Sequence, residues 1–274
     1  MKRHGRTVFV APLLAIIVGA TAFASAPASL PGRAGPATPA VAGSTADAKV
    51  TRSEQPIAAR IRGSWYSTAM PRSARGATCP TGPRQREVES FVKRLGGFGT
   101  IVVDGRQTST ECETIKRFQR RYGIRPINGY ANEITYIVSR RLVRTVTSAC
   151  PGRYKRITFC VDLTHQTVFI LDGYKVIWKP TPTRTGMRGG FQTPAGTFAV
   201  RNRNIREWSD PYSVWMPYWQ RFYGGMGFHQ TTTYLHNSFG SHGCINLLPA
   251  DAKKMWDIGK IGTRVYIFGR RPGT

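Results

Sequence analysis

Acidic residues are scarce in this chain of 274: 14 Asp and Glu stand against 40 Lys and Arg, a formal net charge of +26. Such a balance seeks a polyanion, whether nucleic acid, anionic lipid or an anionic cell wall. No nucleic-acid motif accompanies the basic residues, and they form no single tight block, so nucleic acid is set aside as a partner. No alternation of helix and strand around a Gly-rich phosphate loop occurs, which excludes a nucleotide-binding sheet. Histidines 229, 236 and 242 with Cys244 have the ligand types for zinc, but their spacing matches no compact metal pattern. Cysteine is also scarce, with five in the chain.

The N-terminus chooses among the anionic partners. Lys2, Arg3 and Arg6 precede the apolar run Thr7–Ala24, which ends in the small-x-small pattern Ala22-Phe23-Ala24. Residues 1–24 read as a signal peptide. The alternative is an uncleaved membrane anchor, because the run approaches a spanning length. Either way the remainder is exported. No Cys follows the run, which argues against a lipid-modified N-terminus. Residues 25–78 read as a flexible linker, rich in Ala, Pro, Gly, Ser and Thr to about residue 52, then a basic connector. Export implies an oxidising compartment. If Cys244 stays free, then Cys79, Cys112, Cys150 and Cys160 form an even set with three pairings open. Cys79–Cys112 and Cys150–Cys160 are favoured, since each bridge then lies within or at the edge of one expected domain.

A helical domain is expected over 79–150. Val88, Phe91, Val92 and Leu95 recur at helical spacing, and Gly96-Gly97 ends that helix. Asp104-Gly105 makes a turn, and Thr110 with Glu113 has the spacing of a capping box. Ile115, Phe118 and Tyr122 share the face of a second helix that Gly123 stops. Asn128-Gly129 turns into a third, Asn132–Val143. From Ile157 to the C-terminus the texture changes to strands, and a second domain is expected over 151–274. Val161, Leu163, Val168, Ile170 and Leu171 lead to Asp172-Gly173 and a hairpin partner Lys175–Trp178. Thr197–Arg201 and Thr263–Phe268 read as further strands, and Pro249–Ile258 as the one clear helix. The aromatic and Gly-rich segment 216–225 reads as a substrate-covering wall with a flexible hinge, or equally as packing beneath the site.

The chemistry concentrates in Ser241-His242-Gly243-Cys244-Ile245-Asn246, with His229 fifteen residues before Cys244. A cysteine becomes a nucleophile when an imidazole takes its proton or stabilises its thiolate. Gly243 lets a substrate carbonyl approach backbone N–H groups, the natural oxyanion hole for acyl transfer. Both His229 and His242 compete for the role of base. His236 fits no motif position and reads as a solvent-exposed loop residue.

Taken together, the six-residue string and the upstream His229 resemble the signature of the L,D-transpeptidase catalytic domain of the YkuD type. Arg184-Thr185-Gly186 followed by Thr193-Pro194-Ala195-Gly196-Thr197-Phe198 is similar to a second region of that family, and the resemblance spans about residues 155–269. It implies an α+β chain: a mainly-β, sandwich-like catalytic domain behind a small three-helix domain. It makes Cys244 the nucleophile and His229 the base, oriented by the carbonyl of Gln230. His242 and Ser241 become supporting groups and Asn246 a loop or substrate contact; from the aromatic segment 216–225 itself, the Tyr218 hydroxyl is read as a helper of the oxyanion hole. The family's reaction takes tetrapeptide stems of peptidoglycan, releases D-alanine and cross-links two third-position residues. Water as acceptor would make an L,D-carboxypeptidase. The family also implies acylation by carbapenem-type β-lactams and needs no metal or organic cofactor.

The helical segment 85–145 resembles the small three-helix peptidoglycan-binding domain through Asp104-Gly105, Thr110, Ile115, Phe118-Gln119, Gly123, Asn128-Gly129 and Thr135, although the second turn reads Gly105-Arg106-Gln107-Thr108. It would hold glycan, while the basic surface would hold anionic wall polymers. The rivals are another exported cysteine enzyme, sortase-like or endopeptidase-like, and a non-catalytic wall-binding protein. Sortases usually place His and Cys much further apart, and papain-like endopeptidases reverse their order.

Overall fold

The computed structural model describes residues 79–274. The leader and linker expected over 1–78 lie outside them. Among the described residues no helix is long and apolar enough to cross a membrane.

Three helices come first. Helix α1 (Gln85–Leu95) buries Val88 and Val92, one turn apart on one face, and places Glu87 in its first turn and Lys93 and Arg94 in its last, as the helix dipole favours. Helix α2 (Ser109–Arg121) opens on a capping box, but two residues before the expected one. Thr108, extended at φ −93° and ψ 166°, is the N-cap, and its hydroxyl accepts the Glu111 N–H. The Glu111 carboxylate accepts the Thr108 N–H in return, at 3.0 Å, and also the Val102 N–H at 2.9 Å. That second bond ties the preceding turn to the cap. Thr110 already lies inside the helix, and Glu113 pairs instead with Lys116 on the surface. Helix α3 (Glu133–Arg144) is capped by the Asn132 side chain on the Thr135 N–H. Gln119, wholly buried, organises the turn before α3: its carbonyl accepts the N–H groups of Asn128 and Gly129, and its amide donates to Tyr130 and Thr135. A side chain at Gly129 (φ 74°) would strike the Cys112 sulfur, which is bonded to Cys79. Val88, Val92, Ile115, Phe118, Ile124, Val138 and Leu142 close a core among the three helices.

The remainder forms two sheets. Strands β1 (Ile157–Asp162), β2 (Thr167–Asp172), β3 (Lys175–Pro182), β4 (Gly196–Ala199) and β9 (Arg264–Phe268) make a sheet ordered β3-β2-β1-β9-β4. Strands β5 (Asn202–Ser209), β6 (Val214–Tyr223), β7 (Met226–Gln230) and β8 (Ile245–Leu247) follow one another in the second sheet. Helix α4 (Pro249–Ile258) adds Ala252 and Met255 to a core that also takes Phe159, Val161 and Ile170 from one sheet and Phe228, Ile245 and Leu247 from the other. The result is α+β with a sandwich-like β part, as expected from the sequence. A second, smaller cluster behind the first sheet holds the Cys150–Cys160 bridge against Phe169 and Leu171.

The segment 216–225 is no hinge. It is strand β6, which turns at Gly224-Gly225 into β7, and Met216, Trp219 and Phe222 are buried along it. Trp219 and Phe222 are buried by packing, while Tyr223 stands exposed.

The helical part and the β part meet around one charge. Asp251, near the start of α4, is wholly buried. Both its carboxylate oxygens accept from the Arg121 guanidinium, at 2.8 and 3.2 Å, and the Thr181 hydroxyl donates to it at 2.5 Å. Burial would lower the Arg121 pKa, but the bond and charge of Asp251 outweigh it and raise it. His236 joins the same junction through the Tyr122 carbonyl at 2.6 Å, and the Arg125 N–H donates to the Tyr234 hydroxyl at 3.2 Å. Removing one member of a buried ion pair strands the other. Asp251→Ala should therefore cost about 3 kcal/mol in urea unfolding, while replacing both members with apolar residues recovers most of that loss. A single substitution that leaves the unfolding midpoint unchanged would show the pair contributes nothing.

Candidate active site

Strand β8 lies parallel to β7, with Phe228 beside Ile245 and His229 beside Asn246. Side chains alternate along a strand. Phe228 and Ile245 point into the core and are wholly buried. His229, Asn246 and, two residues before Asn246, Cys244 therefore project from the opposite face. Trp219 joins them from β6, its ring centroid 6.0 Å from that of His229. Its indole spreads over Gly227, where an added Cβ would come within 2.7 Å of the ring. The bare backbone at Gly227 brings its N–H to the Cys244 sulfur, and the thiol is 3.9 Å from the Gly225 carbonyl.

His229 Nδ1 is 2.8 Å from the Gln230 carbonyl. A carbonyl only accepts, so Nδ1 carries the hydrogen and Nε2 is the basic nitrogen. Burial pushes the imidazole down to about 4, against the Gln230 carbonyl and with a further push from the Arg184 charge. Burial also pushes the Cys244 thiol up, eased by the Gly227 N–H. Both shifts favour uncharged forms, so at neutral pH the pair is a thiol and a neutral imidazole. A low-dielectric site disfavours the charged forms of both groups.

The motif loop is tightly bonded. Ser241 Oγ donates to the Cys244 carbonyl at 2.6 Å and accepts the Gly243 N–H at 3.2 Å. The Gly243 amide is thus engaged rather than open as an oxyanion donor. Its φ of 105° suits glycine, and a Cβ there would strike the Met226 thioether. Thr193 donates to the Gly243 carbonyl at 2.8 Å and accepts the Gly186 N–H at 2.9 Å. Asn246 exchanges backbone hydrogen bonds with Arg184 in both directions, and its carbonyl also accepts from the Thr183 hydroxyl.

Other expected residues lie elsewhere. His242 is exposed, stacked on Tyr212 at 4.3 Å and against the edge of Phe191 at 4.7 Å. Tyr218 packs on the core with its ring 6.3 Å from that of Trp256 on α4, which takes it toward the helix rather than the motif loop. His236 is a junction residue rather than a solvated one, and burial pushes it to about 4. His229, His236 and His242 thus turn to different neighbours, as no zinc set would. Thr193, Trp219 and Arg184 emerge as parts of the site that the short motif does not announce, although all three lie in segments the sequence singles out.

Comparison with known proteins agrees with this geometry. The family model for the YkuD L,D-transpeptidase catalytic domain matches residues 156–267. The crystal structure of an L,D-transpeptidase from Stackebrandtia nassauensis is 43% identical, with a TM-score of 0.69, over 72% of this chain and 96% of that one. The chain belongs to the L,D-transpeptidase family. It is accordingly a cysteine-dependent enzyme of peptidoglycan. An L,D-transpeptidase from Mycobacterium smegmatis is 22% identical over 42% of this chain and 59% of that one, with a TM-score of 0.38. The Enterococcus faecium L,D-transpeptidase is 26% identical over 43% of this chain and 50% of that one, with a TM-score of 0.35. No curated protein matches the chain.

The two buried histidines of this transpeptidase give a pH dependence with a definite sign. His229 and His236 each sit at about 4 in the fold and near ~6.5 when unfolded. Below about 6.5 the unfolded chain gains protons that the fold does not, so stability is present above that pH and is lost as pH falls toward 4. The loss is on the order of 3 kcal/mol per histidine. Denaturant unfolding between pH 7 and 4 should show this slope, and His236→Gln should flatten part of it. A slope unchanged in that variant would contradict the assignment of His236.

Proposed function

We propose that this transpeptidase is an exported wall enzyme in which Cys244 is the nucleophile and His229 the general base. The observation that carries the reading is His229 on β7 beside Asn246 of β8, with Cys244 just ahead of that strand, and with His229 Nδ1 bound to the Gln230 carbonyl so that Nε2 is left as the basic nitrogen. Cys244 attacks the carbonyl of the third-position diamino acid of a tetrapeptide stem. As the C–S bond forms, the thiol proton passes to His229 Nε2 and then to the departing D-alanine amine when the C–N bond breaks. The thioester next meets a side-chain amine of a neighbouring stem. His229 takes the amine proton, the new amide forms, and the proton returns to the sulfur. Burial keeps His229 unprotonated at neutral pH, so Nε2 is free to accept the thiol proton when the substrate arrives.

The sequence roles fit around this step. Ser241 and Thr193 hold the loop, Asn246 fixes β8, and His242 with Tyr212 and Phe191 offers an exposed aromatic wall for the stem. With the Gly243 amide engaged, the oxyanion donors are backbone groups other than Gly243 rather than Tyr218. The helices of residues 79–150 retain glycan and the basic surface retains anionic wall polymers, so their hold should weaken with salt. The leader carries the chain across the membrane and either is cleaved or stays as an anchor.

One solved relative is an L,D-transpeptidase in complex with imipenem, and that drug is the natural probe here. Incubation with imipenem should add its mass to Cys244, with no adduct on Cys244→Ala. His229→Ala should slow acylation by about 100-fold or more. A tetrapeptide stem should release D-alanine and yield a cross-linked dimer by mass spectrometry. Release without dimer would make water the acceptor and the enzyme an L,D-carboxypeptidase. An adduct that persists in Cys244→Ala would overturn the assignment of the nucleophile.

A further inference from the structure

Arg184 is a cation with 7% exposure, and among the described residues no carboxylate pairs with it. Its backbone and its side chain reach two different strands. The backbone exchanges hydrogen bonds with Asn246, at 3.0 and 3.2 Å, on the strand that Cys244 leads into. The guanidinium crosses to the segment that follows His229. There it donates to the Tyr234 carbonyl at 2.9 Å, the Thr233 hydroxyl at 2.8 Å and, more weakly, the Thr231 hydroxyl at 3.4 Å.

That segment controls the carbonyl that orients His229. The Thr231 N–H donates to the Leu247 carbonyl on β8 at 2.7 Å. In a trans peptide the C=O and N–H point in opposite directions. Anchoring the Thr231 N–H on β8 therefore aims the Gln230 carbonyl away from β8, where His229 Nδ1 meets it. Thr231 is in turn held by its own hydroxyl on the Thr233 carbonyl and by the Arg184 fork. Burying an arginine without a counter-ion is costly, and burial with the nearby Arg271 brings its pKa down to about 10. A neutral polar residue could supply hydrogen bonds at this place without that cost. What the guanidinium adds is a planar fork that reaches Tyr234, Thr233 and Thr231 at once.

We propose that Arg184 is a positioning residue for His229: its guanidinium fork and its backbone bonds to Asn246 lock the peptide after Gln230 against the strand that Cys244 leads into, and so hold the carbonyl that orients the imidazole. This rests on reading His229 as the general base. Other charges around β7 do not replace it. Arg221 on β6 is exposed, Asp251 on α4 lies on the core side and is paired with Arg121, His236 in the following loop is bonded to Tyr122, and Cys244 is the reacting group itself.

The test compares the full chain with Arg184→Met, Arg184→Lys and Thr233→Val. Two readouts are taken: the rate of the Cys244 adduct with imipenem, and the tautomer and protonation midpoint of His229 by long-range nitrogen–proton NMR. In Arg184→Met the midpoint should rise only slightly from about 4, since burial is the larger cause, while the Nδ1–H tautomer should lose its dominance and the rate should fall about 100-fold. Arg184→Lys, which keeps the charge without the fork, should hold the midpoint low yet stay slower than the parent. Thr233→Val removes one exposed acceptor and should fall between the parent and Arg184→Met in rate. Should Arg184→Met fail to fold, Thr233→Val decides, and the parent's rate and tautomer in that variant would overturn the proposal. A slower Arg184→Met with the parent's tautomer would also overturn it, since that pattern is damage to the fold alone. A parent chain that forms no adduct would sink the nucleophile reading, while the imidazole tautomers would still decide on Arg184.

Discussion

Parallel pairing of β7 with β8 is the constraint on which the rest depends. Phe228 and Ile245 sit side by side in the core, and burying two such side chains contributes about 2 kcal/mol each. Because strands alternate, a slip of β8 by one residue would move Ile245 into the site and turn Cys244 inward, away from His229. The hydrophobic core therefore sets the register, and the register sets the chemistry. What surrounds the pair keeps that register in place: Trp219 over Gly227 on one side, Arg184 bonded to Asn246 and to the 231–234 segment on the other.

The second consequence of this placement is electrostatic. A face roofed by Trp219, the motif loop and a buried arginine offers little water, so neither a thiolate nor an imidazolium is well solvated there. The site rests as a neutral pair, and charge develops only when the substrate carbonyl arrives. Binding and proton transfer then coincide. The same shielding leaves the sulfur reduced, since the four remaining cysteines are joined in Cys79–Cys112 and Cys150–Cys160 and Cys244 alone is free.

Much of this could be read from residues alone, and the exceptions have physical causes. Short-range patterns carried over well: the β-branched and large apolar residues of β1, β2 and β9, the helix Pro249–Ile258, and the sandwich-like class. The capping box was misplaced because Thr108 and Thr110 both precede a glutamate at the same spacing, and only the Val102 N–H selects Glu111. Strand β6 was obscured because its burial does not follow a clean alternation: Trp219 and Gln220 are consecutive and both buried. His236 looked solvated because its partner, the Tyr122 carbonyl, lies 114 residues away. Arg184 stands in a segment the sequence singles out, but its contacts are not legible there, since its acceptors stand about fifty residues downstream. Within the motif itself, six neighbouring residues announced the chemistry but not the state of protonation, which depends on burial that no local pattern encodes.

The central claim is that the sulfur at rest keeps its hydrogen while His229 stays neutral. Difference infrared spectroscopy of the protein against Cys244→Ser reads this directly at neutral pH through the S–H stretching band. The account predicts a full S–H band for Cys244 that disappears only in alkali or on acylation. Its absence at pH 7, with the thiol already ionised, would contradict the account.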